Sequence, residues 1–536
     1  MHSDKNSPLP TRATILEAIT AEREHWLIPE TTFTSYSEYR ARTGEGAVHK
    51  ARQMSPEAVL GEIQLSGLRG RGGAGFPTGT KWTTIKNHPC PTRFVVCNAA
   101  EGEPGTFKDR WLLRKNPYSL IEGMLIAAHV VGTRAMYIAI KASFARELAR
   151  LRSAIQELGE AGLLQGYQLH VIEGPDEYLF GEEKALLEVI SGNDPLPREA
   201  HNPPYETGLF PTGTSPNPAL VHNVETFSHV PSIIRAGAAS FRKLGTHDTP
   251  GTVIFTVSGD VKRPGIYELE AGITLRDLFF GVAGGPRDGR TFKAALSGVS
   301  SGVIPAAKFD TSADFGSLQR IGAGLGSAGF MVFDDRTSMP RVAQALARFL
   351  YVESCNQCSA CKHGLRTASH ALDELFDPAK AAPDALRRAN LGAGSAPQGN
   401  RCFLPVEGSI LIPSLVEGYA GEFAAQRENP AHVTEPVVVP KIVDFDERTG
   451  TFVFDERQPL KTPDWAYQEP ARPPAPKRPE AMWVPKDPAR AMAPVRRALR
   501  IALWLRWSAA ARTRRWTRTG WANSPSSPGC ANFLCV

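Results

Sequence analysis

The spacing of apolar and polar residues predicts alternating helices and strands along the first part of the chain. Residues 55–65 carry apolar side chains at helical spacing after a serine and a proline, a pattern typical of a capped helix. The short apolar run at 93–98 predicts a buried strand. Residues 120–142 form a long apolar stretch, but Glu122 and His129 interrupt it. It therefore predicts a core helix followed by a strand, and not a membrane span.

Four further segments extend this pattern towards the C-terminus. An acidic turn at 178–183 follows an apolar run and precedes a predicted helix at 184–190. Residues 253–298 alternate apolar residues with turns that contain glycine and proline, which favours short strands. Helical spacing returns at 340–352, and a segment led by proline at 383–390 predicts another helix. The mixture indicates an α/β protein whose C-terminal part is helical.

Composition places the chain among soluble globular proteins of several domains. Its 536 residues suggest three or four folding units, and its 42% hydrophobic and 22% charged residues exclude wholesale disorder or a fibre. The net charge is +6, but nine arginines and no lysine or acid lie within 489–536, so the preceding chain is mildly acidic. Nucleic-acid binding by that part has no electrostatic support. The N-terminus lacks a signal-peptide pattern, so we expect a cytoplasmic protein, at most peripheral to a membrane.

Four of the eight cysteines form the strongest chemical signal in the sequence. Cys355, Cys358 and Cys361 are separated by two residues each, and Cys402 follows after forty intervening residues. Three closely spaced thiolates and a fourth from elsewhere can ligate the four irons of a [4Fe-4S] cluster. Structural zinc, which usually takes two separated Cys-x-x-Cys pairs, and a site without metal are the alternatives. The helical spacing on either side indicates that the site lies in a small helical bundle.

A glycine-rich loop follows the predicted helix at 55–65. Its glycines are Gly67, Gly70, Gly72, Gly73 and Gly75. Their spacing formally matches a dinucleotide fingerprint, but that fingerprint follows a strand and this loop follows a helix. The backbone N–H groups of glycines can approach a phosphate, and Arg71 and Lys81 add positive charge. Phe76 and Trp82 offer aromatic faces. The loop therefore predicts an anion site, with a flexible surface loop as the alternative.

Three polar turns could add contacts beside this loop. Glu101 and Glu103 follow the predicted strand at 93–98. Glu182 and Glu183 precede the next predicted helix, and a third turn carries asparagine, glutamate and threonine at 223–226. Carboxylates accept hydrogen bonds from ribose hydroxyls and a carboxamide, and the third turn can cap a helix or hold a phosphate. For the first turn, an acidic surface turn is the alternative.

Six motifs occur in one unbroken order between residues 55 and 465. They are L-R-G-R-G-G-A-G-F-P-T-G-x-K-W at 68–82, N-A-x-E-x-E-P-G-x-F-K-D-R at 98–110, G-E-E-x-A-L-L at 181–187, N-V-E-T at 223–226, V-S-G-D-V-K-R-P-G-I-Y-E-L at 257–269 and E-S-C-x-x-C-x-x-C at 353–361. With these motifs the chain resembles the NADH- and FMN-binding flavoprotein subunit of respiratory complex I, the 51-kDa or F subunit. It is similar also to the diaphorase subunits of NAD-dependent formate dehydrogenases and hydrogenases.

The resemblance implies an α/β multidomain fold. It has a non-Rossmann α/β flavin domain, a small β-grasp-like domain and a C-terminal helical bundle with the iron–sulfur cluster. We expect an N-terminal helical extension at 1–54, the FMN- and NADH-binding domain at 55–245, the β-grasp-like (SLBB-type) domain at 246–335, the cluster-binding helices at 336–430, a C-terminal extension at 431–468 and a disordered Pro/Arg-rich tail at 469–536. We assign no chemistry to the β-grasp-like domain.

The resemblance also implies which residues bind the cofactors. Residues expected around FMN and its phosphate are Gly70, Gly72, Gly73, Lys81, Asn98, Glu101, Gly181, Glu182, Glu183, Asn223 and Thr226. Positions expected to face NADH are Phe76, Glu103 and Glu183. Arg71, Gly75 and Glu225 complete the expected cofactor-binding set. The expected ligands of the [4Fe-4S] cluster are Cys355, Cys358, Cys361 and Cys402.

The implied activity is that of an NADH dehydrogenase of the diaphorase type, in which hydride passes from NADH to FMN and single electrons pass to the cluster. Because the cofactors supply this chemistry, we expect no catalytic acid or base. We interpret His129, His201 and His222 as core or surface residues. The implied partners are a small [2Fe-2S] thioredoxin-like subunit and a further iron–sulfur or catalytic subunit of a larger redox complex.

Two departures from the family pattern support an alternative function. Ala100 stands where the family usually has aspartate, and residues 202–205 read Asn-Pro-Pro-Tyr in place of Lys-Pro-Pro-Phe. Both changes remove polar or charged groups expected near the nucleotide. The alternative is therefore a non-catalytic iron–sulfur scaffold that has lost nucleotide binding.

The tail differs in composition from the rest of the chain. Residues 470–479 are rich in proline and arginine, which is typical of a linker. Apolar residues at 495–507 alternate with arginines and predict a short basic amphipathic helix that could contact anionic lipid or an acidic partner. The alternative is that this segment is unselected sequence without a function.

Overall fold

The structure, a computed structural model, describes residues 23–44, 46–199, 208–211, 216–380, 382–432, 437 and 441–468. The predictions for residues 202–205, for His201 and for the tail from 469 onward lie outside the described residues. So does the first part of the expected N-terminal extension. The chain up to Gln468 forms one compact unit.

Four parallel strands form the first sheet, in the order β3-β2-β1-β4. They are β1 (Phe94–Ala99), β2 (Ala135–Lys141), β3 (Gln168–Gly174) and β4 (Ala219–Asn223). Alternation along β1 places Val95 and Cys97 in one hydrophobic core, and Phe94 and Val96 in another on the opposite face. Since β2 and β4 pair with opposite sides of β1, the turns after β1 and β4 meet at the edge where ligands usually bind in such sheets.

Helices cover both faces of this sheet. They are α1 (Tyr36–Thr43), α2 (Ala47–Gln53), α3 (Pro56–Ser66), α4 (Thr78–Asn87), α5 (Lys108–Lys115), α6 (Pro117–Val131), α7 (Ala145–Glu160), α8 (Glu183–Ile190), α9 (Val224–Ala236) and α10 (Ala238–Phe241). Helices α6 and α9 share the core of Val95, whereas α8 packs on the opposite face. Helices α6 and α9 approach so closely that a Cβ at Gly123 would lie 2.0 Å from the carbonyl oxygen of Phe227. This contact requires glycine.

The elements predicted from periodicity agree with the observed ones. The Ser55 hydroxyl accepts a hydrogen bond from Ala58 N and caps α3, as its sequence predicts. The long apolar stretch is the helix α6 followed by the strand β2, and no helix in the described part of the chain is long and apolar enough to cross a membrane. The glycine-rich loop runs from α3 to α4, so the rejection of a strand–loop–helix fingerprint is confirmed.

A second, five-stranded mixed sheet has the order β6-β5-β9-β7-β8. Its elements are β5 (Thr252–Gly259), β6 (Gly265–Glu270), β7 (Phe292–Ser297), β8 (Ile304–Pro305), β9 (Gly329–Asp334) and the short helix α11 (Phe315–Arg320). β5 pairs parallel with β9, and the other pairs are antiparallel. Phe255, Phe279 and Phe330 lie in its core with Phe309. The predicted short strands are therefore present.

The C-terminal part is a helical bundle followed by a hairpin. The helices are α12 (Met339–Glu353), α13 (Ser359–Glu374), α14 (Ala385–Ser395), α15 (Leu404–Gly418) and α16 (Ala420–Glu428), and the hairpin strands are β10 (Ile442–Asp446) and β11 (Thr451–Phe454). Phe445 of the hairpin packs edge-on against Trp111 on α5, with their ring centroids 5.3 Å apart. The chain then returns to the bundle through a segment, residues 458–468, which we call the strap.

Candidate functional site

A cavity of about 750 Å³ lies at the edge of the first sheet where β1 and β4 end. Most residues predicted to bind FMN or NADH line it. These are Gly70, Gly72, Gly73, Gly75, Phe76, Lys81, Asn98, Glu101, Glu103, Gly181, Glu182, Glu183, Asn223 and Thr226. The structure thus brings together side chains from the glycine loop and from all three polar turns.

Two predicted site residues, Arg71 and Glu225, do not line the cavity. The Arg71 guanidinium is buried and donates to the carbonyl oxygens of Pro250 and Thr252, at 2.7 and 3.1 Å. Burial lowers the pKa of Arg71 to about 10. The Glu225 carboxylate accepts a bond from Ile254 N and pairs with Lys108 Nζ at 2.8 Å. Both side chains therefore join the first sheet to the second instead of facing a ligand.

The glycine loop is held in a fixed shape by backbone bonds. Gly70 N donates to Phe76 O, and Arg71 N donates to the Thr226 hydroxyl, both at 2.8 Å. Gly75 has a φ of 62°, and a Cβ there would lie 2.6 Å from the ring of Phe315. Only glycine fits this position without strain. Phe76 beside it is 45% exposed, so its ring is accessible from the cavity.

Trp82, expected to offer an aromatic face to a ligand, is instead fully buried behind the cavity. It lies on α4, and its indole N–H donates to His222 Nε2 at 3.0 Å. His222 is a buried residue as predicted, but it also lines the cavity. Burial, assisted by the positive charge of Lys81, holds the pKa of His222 well below its usual value. The neutral imidazole therefore accepts the indole proton. His129 contacts Met54 O and lies away from the site.

One ion pair crosses the cavity wall. Lys81 Nζ lies 3.0–3.1 Å from both carboxylate oxygens of Glu183. The lysine is almost buried, and the carboxylate is about one quarter exposed. The pair places one positive and one negative group side by side, so a phosphate and a hydrogen-bond donor could both be recognised there.

The first polar turn is part of the cavity wall and not an acidic surface turn: Glu101 is buried, and Glu103 is half-buried. Glu101 accepts bonds from Asp109 N and from Arg110 Nε, at 3.1 and 2.8 Å. Glu103 accepts from Val299 N and from two serine hydroxyls, those of Ser300 and Ser327. Burial raises the pKa of Glu103, and these three donors partly offset that effect.

Two asparagines connect the turns to each other. Asn98 Nδ2 donates to Gly181 O at 2.8 Å. Asn223 caps α9 through Glu225 N, accepts from Lys108 Nζ and donates to Asp109 at 2.6 Å. Glu182 caps α8 by accepting from the N–H groups of residues 184 and 185, and burial raises its pKa to about 7. The polar side chains thus fix the loops before any ligand is bound.

The second sheet contributes a wall that sequence reasoning missed. Its loops place Ser300, Ser301, Phe315 and residues 323–327 in the cavity. The sequence analysis assigned no chemistry to this domain, and the structure makes its loops part of the cavity wall. The glycine-rich run Gly-Ala-Gly-Leu-Gly-Ser-Ala-Gly at 322–329 was the available signal, because such a run allows close approach of the backbone to a ligand.

The four predicted cluster cysteines line one small pocket in the helical bundle. Cys355 and Cys358 lie in the loop between α12 and α13, Cys361 is in the first turn of α13, and Cys402 lies two residues before the start of α15. All four are free thiols. Burial raises the pKa of Cys361 to about 12 and also raises that of Cys402. No group of His, Cys, Asp or Glu side chains in the described part of the chain converges on a position for a single metal ion.

The cysteine pocket and the cavity are neighbours. Leu179 and Leu404 line both of them. Leu179 lies in the turn before α8, and Leu404 begins α15 two residues after Cys402. A ligand in the cavity and a metal cluster in the pocket would therefore be separated by little more than apolar side chains.

The strap closes the other side of the cysteine loop, and no sequence motif pointed to it. Lys461 Nζ pairs with Glu353 at 2.7 Å, and both side chains are fully buried. Trp465 Nε1 donates to Glu353 O, and Pro463 O accepts bonds from Asn356 and Lys362. Three residues around the first three cysteines are thus fixed by a segment about one hundred residues away in sequence.

Comparison with known families agrees with this architecture. Residues 63–232 match the family described as the Nuo51 FMN-binding domain, residues 254–303 match the SLBB domain, and residues 341–426 match the NADH-ubiquinone oxidoreductase-F iron-sulfur binding region. The three matched segments coincide with the first sheet, part of the second sheet and the helical bundle.

Individual relatives cover most of the same region. The F 2 subunit of the NADH-quinone oxidoreductase of Rhizobium meliloti is 39% identical over 339 residues, which are 61% of this chain and 79% of that protein. The F subunit of the Aquifex aeolicus enzyme is 37% identical over 351 residues, 64% of this chain and 80% of that protein. A solved NAD+-reducing [NiFe]-hydrogenase in the H2-reduced state matches 76% of this chain and 71% of its own, with 31% identity and a TM-score of 0.66. The chain belongs to the family of NADH-quinone oxidoreductase F subunits.

Proposed function

We propose that this protein is the NADH-oxidising subunit of a multisubunit redox complex, with FMN and NADH in the cavity and a [4Fe-4S] cluster on the four cysteines. The bound flavin would accept hydride from NADH, and the cluster would accept single electrons. The chain itself binds, orients and separates these groups. The observation that carries the proposal is the shared wall of Leu179 and Leu404 between the cavity and the cysteine pocket.

The cavity has the properties that a flavin mononucleotide requires. At Gly72 a Cβ would lie 3.2 Å from Asn223 Cβ, so glycine leaves backbone space for a phosphate. Lys81 supplies positive charge, and Phe76 offers an accessible ring for stacking. Glu103 and Glu183 can accept hydrogen bonds from nucleotide hydroxyl or amide groups.

The cysteine pocket has the donor set of an iron–sulfur cluster. Four thiols in one pocket match the four irons of a cubane, one thiolate to each iron. Burial raises the pKa of Cys361 and of Cys402, so a positively charged metal would favour their thiolate forms. The zinc alternative has no comparable support, because the matching family region is described as iron–sulfur binding.

The non-catalytic alternative is not favoured. Ala100 does line the cavity, but the surrounding charged residues are retained, including the pair of Lys81 and Glu183. The relatives that match over most of their length are named as oxidoreductase subunits. For partners we propose a small [2Fe-2S] thioredoxin-like subunit and a further iron–sulfur or catalytic subunit.

Two variants of the purified chain test the proposal by opposite effects. Gly72→Val fills the space beside Asn223, so we expect at least tenfold less bound flavin and NADH-dependent ferricyanide reduction, with iron content unchanged. Cys358→Ala removes one thiolate, so we expect iron and the visible absorbance of the cluster to be lost, with flavin retained. Cys90→Ala, at a buried cysteine outside the pocket, is the matched control. Full iron in Cys358→Ala, or normal flavin in Gly72→Val, would contradict the assignment.

A further inference from the structure

Glu407 is a buried acid next to the wall that separates the cavity from the cysteine pocket. Helix α15 starts at Leu404, which lines both spaces, and Glu407 follows one turn later on the cavity side. Its side chain is only 7% exposed. No motif in the sequence pointed to this residue, and the function proposed above does not use it.

The two carboxylate oxygens of Glu407 have different surroundings. Tyr178 Oη donates to Oε1 at 3.0 Å. Oε2 is buried and has no hydrogen-bond partner among the described residues. A buried carboxylate with one neutral donor is costly, whereas a protonated acid with its hydrogen on Oε2 carries no charge. The geometry therefore favours the neutral acid.

The neighbouring Glu103 has more hydrogen-bond donors around its carboxylate than Glu407 has. Its oxygens accept three hydrogen bonds, so that side chain can carry a negative charge. Burial and the charge of Glu103 together raise the pKa of Glu407 to about 8, and the hydrogen bond from Tyr178 lowers it only partly. The two acids resemble other pairs whose different environments give one a proton and leave the other ionised.

The other titratable groups near Glu407 do not neutralise it. Tyr178 lies in the turn before α8, and burial raises its pKa well above the usual value, so it remains a neutral donor. Lys81 pairs with Glu183. Lys108, the cation that acts on Glu103, pairs with Asp109 and Glu225. Glu182 adds a further acid to the cavity.

We propose that Glu407 is a proton-holding residue: it keeps its proton in neutral solution, and in alkaline solution, where it is ionised, it binds one solvent proton at Oε2 when negative charge enters the cavity and returns it when that charge leaves. The inference rests on the function proposed above, since electrons on the bound cofactors are the added charge. Only the O–H bond at Oε2 forms and breaks, and the proton comes from water and returns to it. Because charges interact strongly in a buried site, uptake of one proton by Glu407 would offset one added negative charge.

The test is the pH dependence of the flavin midpoint potential in the flavin- and cluster-loaded chain, measured by spectroelectrochemical titration. In the wild type we expect the potential to fall more steeply above about pH 8, because reduction then also protonates Glu407. Glu407→Gln keeps an acceptor for Tyr178 but cannot titrate, so the steeper segment should be lost. Glu407→Asp should retain it. Glu417→Gln changes an exposed acid on the same helix and should behave as the wild type.

A second measurement does not depend on cofactor loading. The protonated-carboxyl band in the infrared spectrum of the cofactor-free chain at pH 6 should lose the intensity of one carboxyl group in Glu407→Gln and none in Glu417→Gln. Equal potential–pH curves for wild type and Glu407→Gln, with flavin bound in both, would overturn this inference alone. Absence of that band difference would also overturn it. A wild-type chain that binds neither flavin nor cluster would overturn the proposed function as well.

Discussion

The cavity and the cysteine pocket are adjacent, but they are stabilised in different ways. In the cavity the charged groups already have partners, such as Lys81 with Glu183 and Glu101 with Arg110. The pocket instead contains two buried thiols, those of Cys361 and Cys402, whose pKa is raised by burial. The cavity is therefore shaped by the protein alone. The cysteine thiols of the pocket, in contrast, would ionise to thiolates as a metal binds.

The cavity and the cysteine pocket also differ in the segments that enclose them. The cavity is formed by loops that are bonded to their neighbours in the two sheets, as with Asn98 and Gly181. The cysteine loop is enclosed from outside by the strap, through the buried pair of Glu353 and Lys461. Changes in the strap should therefore affect the cluster and spare the flavin.

The largest expected effect comes from breaking the pair between strap and loop. Lys461→Met would leave the Glu353 carboxylate buried without its cation, and the loss of one partner of such a pair costs about 3–5 kcal/mol. We expect a lower urea midpoint of unfolding and a lower iron content, with flavin content unchanged. Lys380→Met, which removes an exposed pair with Asp377, should cost less than about 1 kcal/mol. Equal loss of flavin and iron would contradict the separation of the two regions.

A moderate effect concerns the acid sensitivity of the cavity wall. His222 is neutral in the fold and has its pKa held well below the ordinary 6.5. The unfolded chain therefore binds the extra proton below pH 6.5, and stability from this residue is lost as pH falls below that value. At pH 5.5 the loss is at most about 1.4 kcal/mol, the limit for an imidazole that stays neutral in the fold.

Urea unfolding of the cofactor-free chain at pH 7.0 and 5.5 measures this effect. In His222→Gln the difference in unfolding free energy between the two pH values should shrink by that amount. His247→Gln, at a histidine that is 91% exposed, should leave the difference as in the wild type. Because burial raises the pKa of Cys361 and of Cys402 far above both pH values, these two thiols should not contribute to the difference. An unchanged pH difference in His222→Gln would mean that the buried imidazole is not a source of acid sensitivity.

The smallest expected effect is that of removing the tail. Gln468 N donates to Leu460 O and ends the strap, so truncation after Gln468 leaves every described contact of the cysteine loop in place. We expect unchanged iron, flavin and NADH-dependent dye reduction. Truncation after Arg457, which removes the strap as well, is the informative comparison and should lower iron content. Loss of iron or flavin from the chain truncated after Gln468 would show that the tail contributes to cofactor binding.

Local patterns in the sequence were sufficient for most elements and for the cysteine site. The helix after Ser55 and the strand β1 follow from spacing and capping, which depend on residues close in sequence. The cysteines at 355, 358 and 361 have fixed spacing, so their joint position is also a local property. The glycine loop likewise reached the cavity as expected.

The errors and omissions all involve contacts between distant segments. Arg71 and Trp82 have the residue types of a ligand site, but tertiary hydrogen bonds turn both side chains away from the cavity. The pair of Glu353 and Lys461 joins residues 108 positions apart and has no local signature. Glu407 follows the last cysteine without a recognisable spacing. Side-chain direction and long-range pairing depend on the packed fold, so sequence periodicity could not predict them.

The strap also has a consequence for the biosynthesis of the protein. More than fifty residues separate Cys402 from the start of the strap at Gln458. At ordinary elongation rates the ribosome needs roughly 3–11 s to make that stretch, so all four thiols are synthesised before Lys461 exists. During this interval the cysteine loop is open on the side that the strap later covers, and cluster delivery can take place there. Translation speed between these two points thus sets how long the nascent chain carries all four cysteines without the strap.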